Sequence, residues 1–327
     1  MTRLASNDNG PDSPIVQSLK LPQPPLKQLG IGFGLLLLSL PVILYGWRVS
    51  QRPTRQNVQQ LLFQGVTYTR LIRNEPRPMV IHQVELDLRS PGITAQVSPG
   101  IDSPINGEQL NDQTAHFESR SATTTDFLEQ SGLQVAINAN FFYPFREITP
   151  WWYYPKPNDA VNLLGTAIAD GQTYSPPERS WPAFCVRANQ VMEIVQQTCP
   201  ADTKQAVAGD EIFVMAGQPV DIATKKTKAY ARTAIALDQQ RAKLWLIVVD
   251  GKQPGYSEGA TMAELAAIAV DLGVDNALNL DGGGSATLAI ATDQGPKVLN
   301  APIHTKIPLR ERPVANQLGF SALLLTP

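Results

Sequence analysis

Two aspartates in the C-terminal half of the chain each stand where an apolar run ends and glycine begins. Asp250 follows the run 244–249, and Asp281 follows the run 277–280 and opens the stretch Asp-Gly-Gly-Gly-Ser. Three consecutive glycines are costly to order, because glycine loses more backbone freedom on folding than any other residue. A folded domain tolerates such a run where the backbone turns sharply or lets another molecule come close. We therefore interpret residues 281–285 as the floor of a ligand site.

The residues between the two aspartates predict the elements that must position them. The apolar run before Asp250 has the profile of a strand buried on both faces. Thr261 with Glu264 three residues later is typical of a capping box, and Gly273 suits the end of the helix that follows. Strand, helix and strand in this length predict a right-handed parallel βαβ crossover. Because parallel strands end at the same edge of a sheet, Asp250 and Asp281 are expected at one ligand-binding edge.

Two carboxylates at one sheet edge are suited to two kinds of chemistry. Acid–base catalysis at a sugar bond uses a pair of carboxylates. The same groups, together with asparagine side chains, are hard oxygen ligands for a metal. No cofactor is certain from the sequence, and a divalent cation such as Ca²⁺ stays an open alternative.

Several motifs resemble, in order along the chain, those of the phosphodiester glycosidase family, to which the catalytic domain of N-acetylglucosamine-1-phosphodiester alpha-N-acetylglucosaminidase belongs. They are Asn138-Ala139-Asn140-Phe141-Phe142, Arg232-Thr233-Ala234, Asp250-Gly251, Ser257-Glu258-Gly259, Glu264, Asn279-Leu280-Asp281-Gly282-Gly283-Gly284-Ser285 and Arg312-Pro313-Val314-Ala315-Asn316. Each motif alone is weak, but together they are fairly specific. The chain departs from the family at Ala139-Asn140, where a glycine pair is usual, and in an insertion after Phe142. Both departures concern the substrate side of the site.

The resemblance implies an α+β domain with a mixed β-sheet core, a few packed helices and one βαβ crossover that carries the site. It also implies hydrolysis of a sugar-1-phosphodiester, the bond between an anomeric carbon and phosphate, on a glycan or glycoconjugate outside the cytosol. The catalytic candidates are Asp281, Asp250 and Glu264. The candidates for binding the substrate are Asn138, Asn140, Arg232, Ser257, Asn279, Gly282, Gly283, Gly284 and Ser285.

Some of these candidates also have a purely structural interpretation. Asn138 and Asn140 suit a turn. Arg232 suits a salt bridge at a strand end, although a guanidinium can also grip a phosphodiester with two parallel hydrogen bonds. The capping box explains Glu264 without any chemistry. His82 lies on a stretch whose alternation predicts a strand with one wet face, and it is expected at the surface.

Two other functions fit parts of the sequence. A serine hydrolase would use Ser285 as its nucleophile, but Thr287 stands where the Gly-x-Ser-x-Gly elbow needs its last glycine. A non-catalytic, membrane-tethered glycan-binding domain would use the aromatic loop Trp151–Tyr154 to stack on sugars. That loop could equally contact a partner, touch a membrane interface or pack its own side chains together. The formal net charge of −2 gives no basic excess that would indicate nucleic acid.

The N-terminal part of the chain divides into segments of different composition. Residues 1–27 are polar and rich in proline, which predicts a disordered tail. Residues 28–47 carry no charged side chain and, at roughly 1.5 Å each, cover the roughly 30 Å core of a bilayer. They are predicted to form a single transmembrane helix, with a cleaved signal peptide as the alternative. Residues 48–61 are predicted to be a linker, and 62–327 the phosphodiester glycosidase-like domain.

The chain has two cysteines, Cys185 and Cys199. Their separation suits a disulfide that closes a short loop and indicates an oxidising compartment, with two buried free thiols as the alternative. Together with the membrane anchor, a disulfide predicts that the domain is periplasmic or extracellular.

Overall fold

The structure, a computed structural model, describes residues 39–101, 117–221 and 227–325. Two helices span Thr124–Ser131 and Met262–Asp271, and residues 39–50 are also helical. The strands are β1 (Val58–Phe63), β2 (Val66–Arg73), β3 (Met79–Asp87), β4 (Thr94–Val97), β5 (Ser119–Arg120), β6 (Val135–Asn138), β7 (Phe142–Tyr143), β8 (Arg146–Glu147), β9 (Tyr153–Tyr154), β10 (Ala160–Leu163), β11 (Ala167–Ala169), β12 (Gln172–Ser175), β13 (Ala183–Arg187), β14 (Met192–Val195), β15 (Thr203–Ala208), β16 (Glu211–Met215), β17 (Gln218–Pro219), β18 (Arg232–Leu237), β19 (Lys243–Val249), β20 (Asn276–Leu280), β21 (Leu288–Thr292), β22 (Gly295–Val298), β23 (Ile303–His304), β24 (Ile307–Pro308) and β25 (Gln317–Ser321).

An eight-stranded sheet in the order β1-β2-β3-β19-β18-β20-β16-β17 carries the predicted crossover. The α+β class is confirmed, but the expectation of a mixed sheet is wrong, because every pairing between the described strands of this sheet is antiparallel. A short connection makes β18 and β19 an antiparallel hairpin, and β20 then pairs with the free side of β18. As a result, β19 and β20 run parallel to each other with β18 between them.

The eight-stranded sheet is covered on both faces. One face packs against the helix Met262–Asp271 through a cluster that includes Trp245, Ile247 and Val249. The other face packs against two five-stranded sheets, β22-β21-β6-β25-β4 and β12-β11-β15-β13-β14, through alternate residues such as Leu246 and Val248. The continuous apolar run of β19 is therefore explained by burial on both faces, as the sequence predicted. The helix Thr124–Ser131 covers the outer face of the first five-stranded sheet.

The helix of the crossover begins and ends where its sequence signals predict. Thr261 is the N-cap, and a complete capping box forms between Thr261 and Glu264. Gly273 follows the helix with a φ of +78°, a left-handed conformation that glycine adopts without strain.

The glycine-rich turn lies where the chain leaves one sheet and enters another. β20 ends at Leu280 in the eight-stranded sheet, and β21 begins at Leu288 in a five-stranded sheet, where it pairs with β6. β6 itself ends at Asn138. The turn is therefore bounded by the ends of strands from two packed sheets.

The predicted disulfide is confirmed. Cys185 on β13 is bonded to Cys199, with a Cα–Cα distance of 5.8 Å and a sequence separation of 14. Cys185 is completely buried, so the bond ties the loop after β14 to the interior of a sheet.

The chain divides into two units, Met1–Gly46 and Trp47–Pro327. The predicted tail, 1–27, and most of the predicted transmembrane segment, 28–47, lie outside the described residues. Within the part that the structure describes, no helix is both long enough and apolar enough to cross a membrane. β1 begins at Val58, inside the stretch predicted to be a linker, because that stretch pairs with β2.

Candidate functional site

Asp250 and Asp281 lie at the same edge of the eight-stranded sheet, as the crossover predicted. The first two residues of β18 pair with the last residues of β19 and β20 respectively. The two aspartates therefore follow strands that end level with the start of β18. They differ in what surrounds their carboxylates.

The carboxylate of Asp281 is partly buried just beyond the end of β20. Burial raises the pKa of Asp281 to about 6, against the lowering effects of the positive charge on Arg312 and of hydrogen bonds from the Ser285 hydroxyl and the Gly282 N–H. A carboxyl group with such a pKa exchanges protons close to neutral pH, which is the property required of a general acid or base.

Arg312 brings a buried positive charge to the same turn. Its Nη1 donates to the hydroxyl of Ser285 at 3.0 Å, and its Nη2 donates to a carboxylate oxygen of Glu147 at 3.0 Å. Its Nε lies 3.4 Å from Nδ1 of His304, and the Phe145 ring centre lies 4.2 Å from the guanidinium carbon. A guanidinium presents forked donors that match anionic oxygens. Arg312 can therefore hold a phosphate oxygen next to the glycine turn.

The three glycines leave room for close approaches. A Cβ on Gly282 would lie 2.5 Å from the carbonyl oxygen of Ala231, and one on Gly284 would lie 2.4 Å from Nη2 of Arg312. Gly283 has a φ of +63°, and its N–H donates to the Ala231 carbonyl at 2.8 Å. The turn thus packs on the start of β18 on one side and on the guanidinium on the other. Larger residues at 282 or 284 would separate these groups.

The carboxylate of Asp250 is enclosed. One oxygen lies 3.0 Å from Nε2 of His82, whose Nδ1 lies 2.8 Å from the hydroxyl of Tyr68. The other oxygen accepts hydrogen bonds from the Asn300 amide at 3.0 Å and the Ala301 N–H at 2.8 Å. Asp250 therefore ties β19 to β3 and to the segment after β22. The expectation that His82 lies at the surface is wrong, because β3 lies inside the sheet and both its faces are covered.

Both asparagines of the Asn138–Phe142 motif are buried and bonded to other parts of the protein. Asn138 donates to the carbonyl of Asp281 and accepts from the Thr233 hydroxyl at 3.1 Å and the Thr287 N–H at 3.0 Å. The partners of the Asn140 amide are Leu164, Thr166, Ala208 and Asn316. Asn138 thus holds the glycine turn from behind, which agrees with the turn interpretation of this motif.

Arg232 and Asn279 lie at the same sheet edge and are also engaged within the protein. Arg232 donates from Nε to the carbonyl of Ala260 at 3.0 Å and from Nη2 to the carbonyl of Lys228 at 3.2 Å. Asn279 donates to a carboxylate oxygen of Asp210 at 2.6 Å. Two of the three nitrogens of the Arg232 guanidinium are therefore held by backbone carbonyls beside the sheet edge.

Ser257 and Glu264 stabilise the loop and the helix between the two aspartates. The hydroxyl of Ser257 donates to the carbonyl of Asp250 at 2.6 Å and accepts from the backbone of β3 at 2.9 Å. Glu264 accepts from the Thr261 N–H at 2.8 Å and pairs with Arg77. These contacts correspond to the capping interpretation of Glu264.

Arg312 and two residues that contact it, Glu147 and His304, were not predicted as site residues. Burial, together with the nearby arginines, lowers the pKa of His304 to about 3, so the ring is neutral. The ring meets Tyr153 edge-on at 4.7 Å between centroids, and its Nε2 has no hydrogen-bond partner among the described residues. The sequence marked Arg312, because it is the first residue of the motif Arg312–Asn316. Nothing local in the sequence marks the other two, because they arrive from separate hairpins.

A metal site was left open by the sequence. Within the described ranges, no group of three or more histidine, cysteine, aspartate or glutamate side chains converges as metal ligands would. The carboxylate of Glu147 is paired with Arg312, and that of Asp250 with His82.

The fold and the site define an α+β domain that brings a partly buried carboxylate and a buried guanidinium together at a glycine-rich turn. The family model for phosphodiester glycosidases (NAGPA) matches residues 131–321, which is more than half of the chain. The chain therefore belongs to the phosphodiester glycosidase family, and the resemblance of its motifs is confirmed. This membership supports hydrolysis of phosphodiester-linked sugars as the class of activity.

Two solved structures are similar to the chain at low sequence identity. A hypothetical protein from Synechocystis superposes with a TM-score of 0.57 at 16% identity, over 78% of this chain and 62% of that one. The chain thus spans less than two thirds of that protein. The zebrafish N-acetylglucosamine-1-phosphodiester alpha-N-acetylglucosaminidase catalytic domain, auto-inhibited by its pro-peptide, gives a TM-score of 0.49 at 20% identity, over 83% of this chain and 87% of that one. No curated protein matches the sequence.

Proposed function

We propose that the domain hydrolyses the bond between the anomeric carbon of a sugar and the phosphate of a phosphodiester, releasing the sugar and a phosphate monoester. The observation that carries the proposal is the meeting of Asp281 and Arg312 at the hydroxyl of Ser285. A carboxylate that titrates near neutral pH stands beside a cation with forked donors. This pair suits a substrate whose reacting carbon carries a phosphate.

In this proposal Asp281 acts as the general base. It takes a proton from a water molecule while the water oxygen bonds to the anomeric carbon. The bond from that carbon to the phosphate oxygen breaks, and its electron pair leaves with the phosphate. A pKa of about 6 favours a base over a nucleophile, because proton transfer is most effective when the pKa lies near the working pH.

The phosphate side of the substrate is assigned to Arg312 and Ser285. A phosphate monoester is already a good leaving group, so charge stabilisation matters more than protonation by a general acid. Because Gly284 has no side chain, the guanidinium can lie directly against the turn that carries Asp281 and Ser285. Arg312 therefore stabilises the negative charge that develops on the departing phosphate.

The remaining predicted residues are assigned positioning roles. Asp250 holds β19 to its neighbours through buried hydrogen bonds, and Asn138 fixes the carbonyl of Asp281. Glu264 caps the helix of the crossover. Each acts on the reaction through the geometry of the turn and does not touch the substrate.

The sequence around Ser285 argues against a serine hydrolase. Thr287 stands where the Gly-x-Ser-x-Gly elbow needs its last glycine. The hydroxyl of Ser285 accepts a hydrogen bond from Arg312 at 3.0 Å, and we assign the neighbouring carboxylate of Asp281 to the activation of water. We therefore expect Ser285→Ala to weaken substrate binding and expect no labelling of Ser285 by a fluorophosphonate probe.

The decisive experiment is release of sugar from a panel of sugar-1-phosphodiesters by purified protein. Asp281→Asn should lower turnover by roughly 10²–10⁴-fold, the range for loss of a general base. Asp293→Asn, at an exposed turn, is the matched control and should be unchanged. Retained turnover in Asp281→Asn would remove this residue from the mechanism. Nuclear magnetic resonance of the first sugar released should show an inverted anomeric centre, and net retention would overturn the general-base assignment.

We also propose that residues 28–47 anchor the chain in a membrane, with the domain outside the cytosol. The disulfide between Cys185 and Cys199 supports an oxidising compartment. Membranes from cells that express the full chain should keep the protein through an alkaline carbonate wash, and protease added outside the inner membrane should degrade residues 62–327. Release by carbonate, or protection from the protease, would contradict the proposal.

A further inference from the structure

The hairpin β8–β9 ends in an ordered turn, residues 148–152, which we call the aromatic tip. The N–H groups of Ile148 and Thr149 donate to the carbonyl of Trp152, each at 3.2 Å. The N–H groups of Trp151 and Trp152 donate to the hydroxyl of Thr149 at 3.3 and 2.9 Å. Yet Trp151 is 82% exposed, Trp152 62% and Ile148 55%. The alternative that this loop packs its own side chains together therefore fails for Trp151 and Trp152, whereas Tyr154 at the end of the loop packs in a small apolar cluster.

The chemistry of the aromatic tip is that of a membrane interface. Its five residues, Ile-Thr-Pro-Trp-Trp, include no charge, and Tyr143 and Phe145 at the base of the hairpin are exposed as well. Exposed apolar groups gathered in one place mark interaction sites. Tryptophan, with an apolar body and one N–H, is enriched where hydrocarbon meets headgroups. An exposed isoleucine adds an aliphatic contact that a platform for stacking sugars does not require.

The surroundings of the tip are positively charged. Arg146 and Lys156 flank the hairpin, and Lys306 lies in the neighbouring β23–β24 turn; all three are exposed. Of the acidic side chains near the hairpin, Glu147 is paired with Arg312, and Asp159 accepts a hydrogen bond from the Lys156 N–H. A basic rim around an apolar tip complements the anionic headgroups of a bilayer.

The start of the second unit lies beside the same hairpins. Nη1 of Arg48 donates to the carbonyl of Pro308 on β24 at 3.4 Å. Arg310, two residues further on, donates to the carbonyl of Pro150 in the aromatic tip at 2.7 Å. Trp47, next to Arg48, is 60% exposed. The exposed Trp47 and the aromatic tip therefore lie on one side of the unit Trp47–Pro327, connected through β24 and Arg310.

We propose that the aromatic tip inserts into the interfacial layer of a lipid bilayer with anionic headgroups. The basic rim contacts the headgroups, and Trp47 reaches the same layer. The proposal depends neither on the hydrolytic activity nor on a spanning helix, because it concerns the exposed side chains of the tip, which take no part in the proposed reaction.

The test places a reporter on the aromatic tip of the full chain. Because Cys185 and Cys199 are bonded to each other, Trp152→Cys introduces a single reactive thiol for an environment-sensitive nitrobenzoxadiazole dye. The chain is mixed with vesicles of phosphatidylcholine and phosphatidylglycerol in equal amounts. Dye emission should rise severalfold and shift to the blue, and lipids with a nitroxide close to the headgroup should quench it. Vesicles of phosphatidylcholine alone should give a weaker change.

The matched control is Gln218→Cys with the same dye. Gln218 is exposed on β17, at the opposite edge of the eight-stranded sheet from β1, and its dye should remain unquenched. Adding Ile148→Ser and Trp151→Ser to the Trp152→Cys chain should remove most of the quenching without unfolding, since both side chains are exposed. Equal behaviour of the dyes at 152 and 218 would overturn the proposal, whether or not the chain binds vesicles. A dye at 152 that responds to soluble polysaccharide and not to vesicles would also overturn it.

Discussion

The guanidinium of Arg312 donates a 3.0 Å hydrogen bond to the hydroxyl of Ser285, and both groups lower the pKa of the Asp281 carboxylate. This contact joins the end of a β-strand to a segment from near the C-terminus, in a turn built from three glycines. It makes the protonation of the carboxylate and the position of the positive charge dependent on each other.

The first prediction concerns the pH dependence of activity. If ionised Asp281 is the base, kcat/KM on a sugar-1-phosphodiester should rise with pH through a midpoint near 6, the raised pKa of Asp281. Since the positive charge of Arg312 lowers that pKa, Arg312→Gln should move the midpoint upward as well as weaken binding. Arg179→Gln, at an exposed position, is the control. An unchanged midpoint in Arg312→Gln would show that the charge of Arg312 does not act on the group that titrates.

The second prediction concerns stability. The pKa of Asp281 is about 6 in the folded state and about 3.9 in the unfolded chain. A raised carboxyl pKa contributes stability that is fully present below about pH 3.9 and is lost as pH rises through about 6. At pH 8 the ionised, partly buried carboxylate therefore costs on the order of 2 kcal/mol. Asp281→Asn should raise the free energy of unfolding by that order at pH 8.

Urea unfolding at several pH values measures this difference. The gain in Asp281→Asn should shrink toward zero as pH falls below about 4, because the wild-type carboxyl is then neutral in both states. Asp293→Asn should show no comparable trend. A gain that does not depend on pH would contradict the assigned pKa.

The third prediction tests the packing of the glycine turn on the arginine. A Cβ at position 284 would lie 2.4 Å from Nη2 of Arg312, so Gly284→Ala should displace the guanidinium and lower kcat/KM by about tenfold or more, equivalent to roughly 1.4 kcal/mol. In an Arg312→Gln background, where the shorter side chain relieves the clash, the same change should have a much smaller effect. The double-mutant cycle should therefore be non-additive. Additive effects would mean that the glycine serves another purpose.

The fourth prediction separates the two interpretations of Glu264. Glutamine can replace glutamate in a capping box, so Glu264→Gln should retain turnover and most of the stability. Glu264→Ala removes the bonds to Thr261 and should cost about 1 kcal/mol of stability, with little change in kcat. Thermal unfolding and steady-state kinetics on both variants provide the measurements. Loss of turnover in Glu264→Gln would show that its charge takes part in catalysis.

Local signals predicted the elements around the site well. The continuous apolar run before Asp250, the Thr261–Glu264 capping box and the run before Asp281 act over a few residues, so the sequence suffices to recognise them. The spacing of Cys185 and Cys199 likewise predicted their bond. The order of the strands in the sheet was harder to predict. β18 lies between β19 and β20, and this placement depends on contacts between strands that are distant along the chain.

The sequence by itself determined the family, the crossover and the strand end that carries Asp281. Only the tertiary structure decided which polar side chains are consumed as internal hydrogen-bond partners, as for Asp250, Asn138 and Asn140. It also decided that Arg312, from a distant segment, supplies the charge beside Asp281. The physical reason is that secondary structure follows from neighbours along the chain, whereas burial, pKa and hydrogen-bond partners depend on groups that only folding brings together.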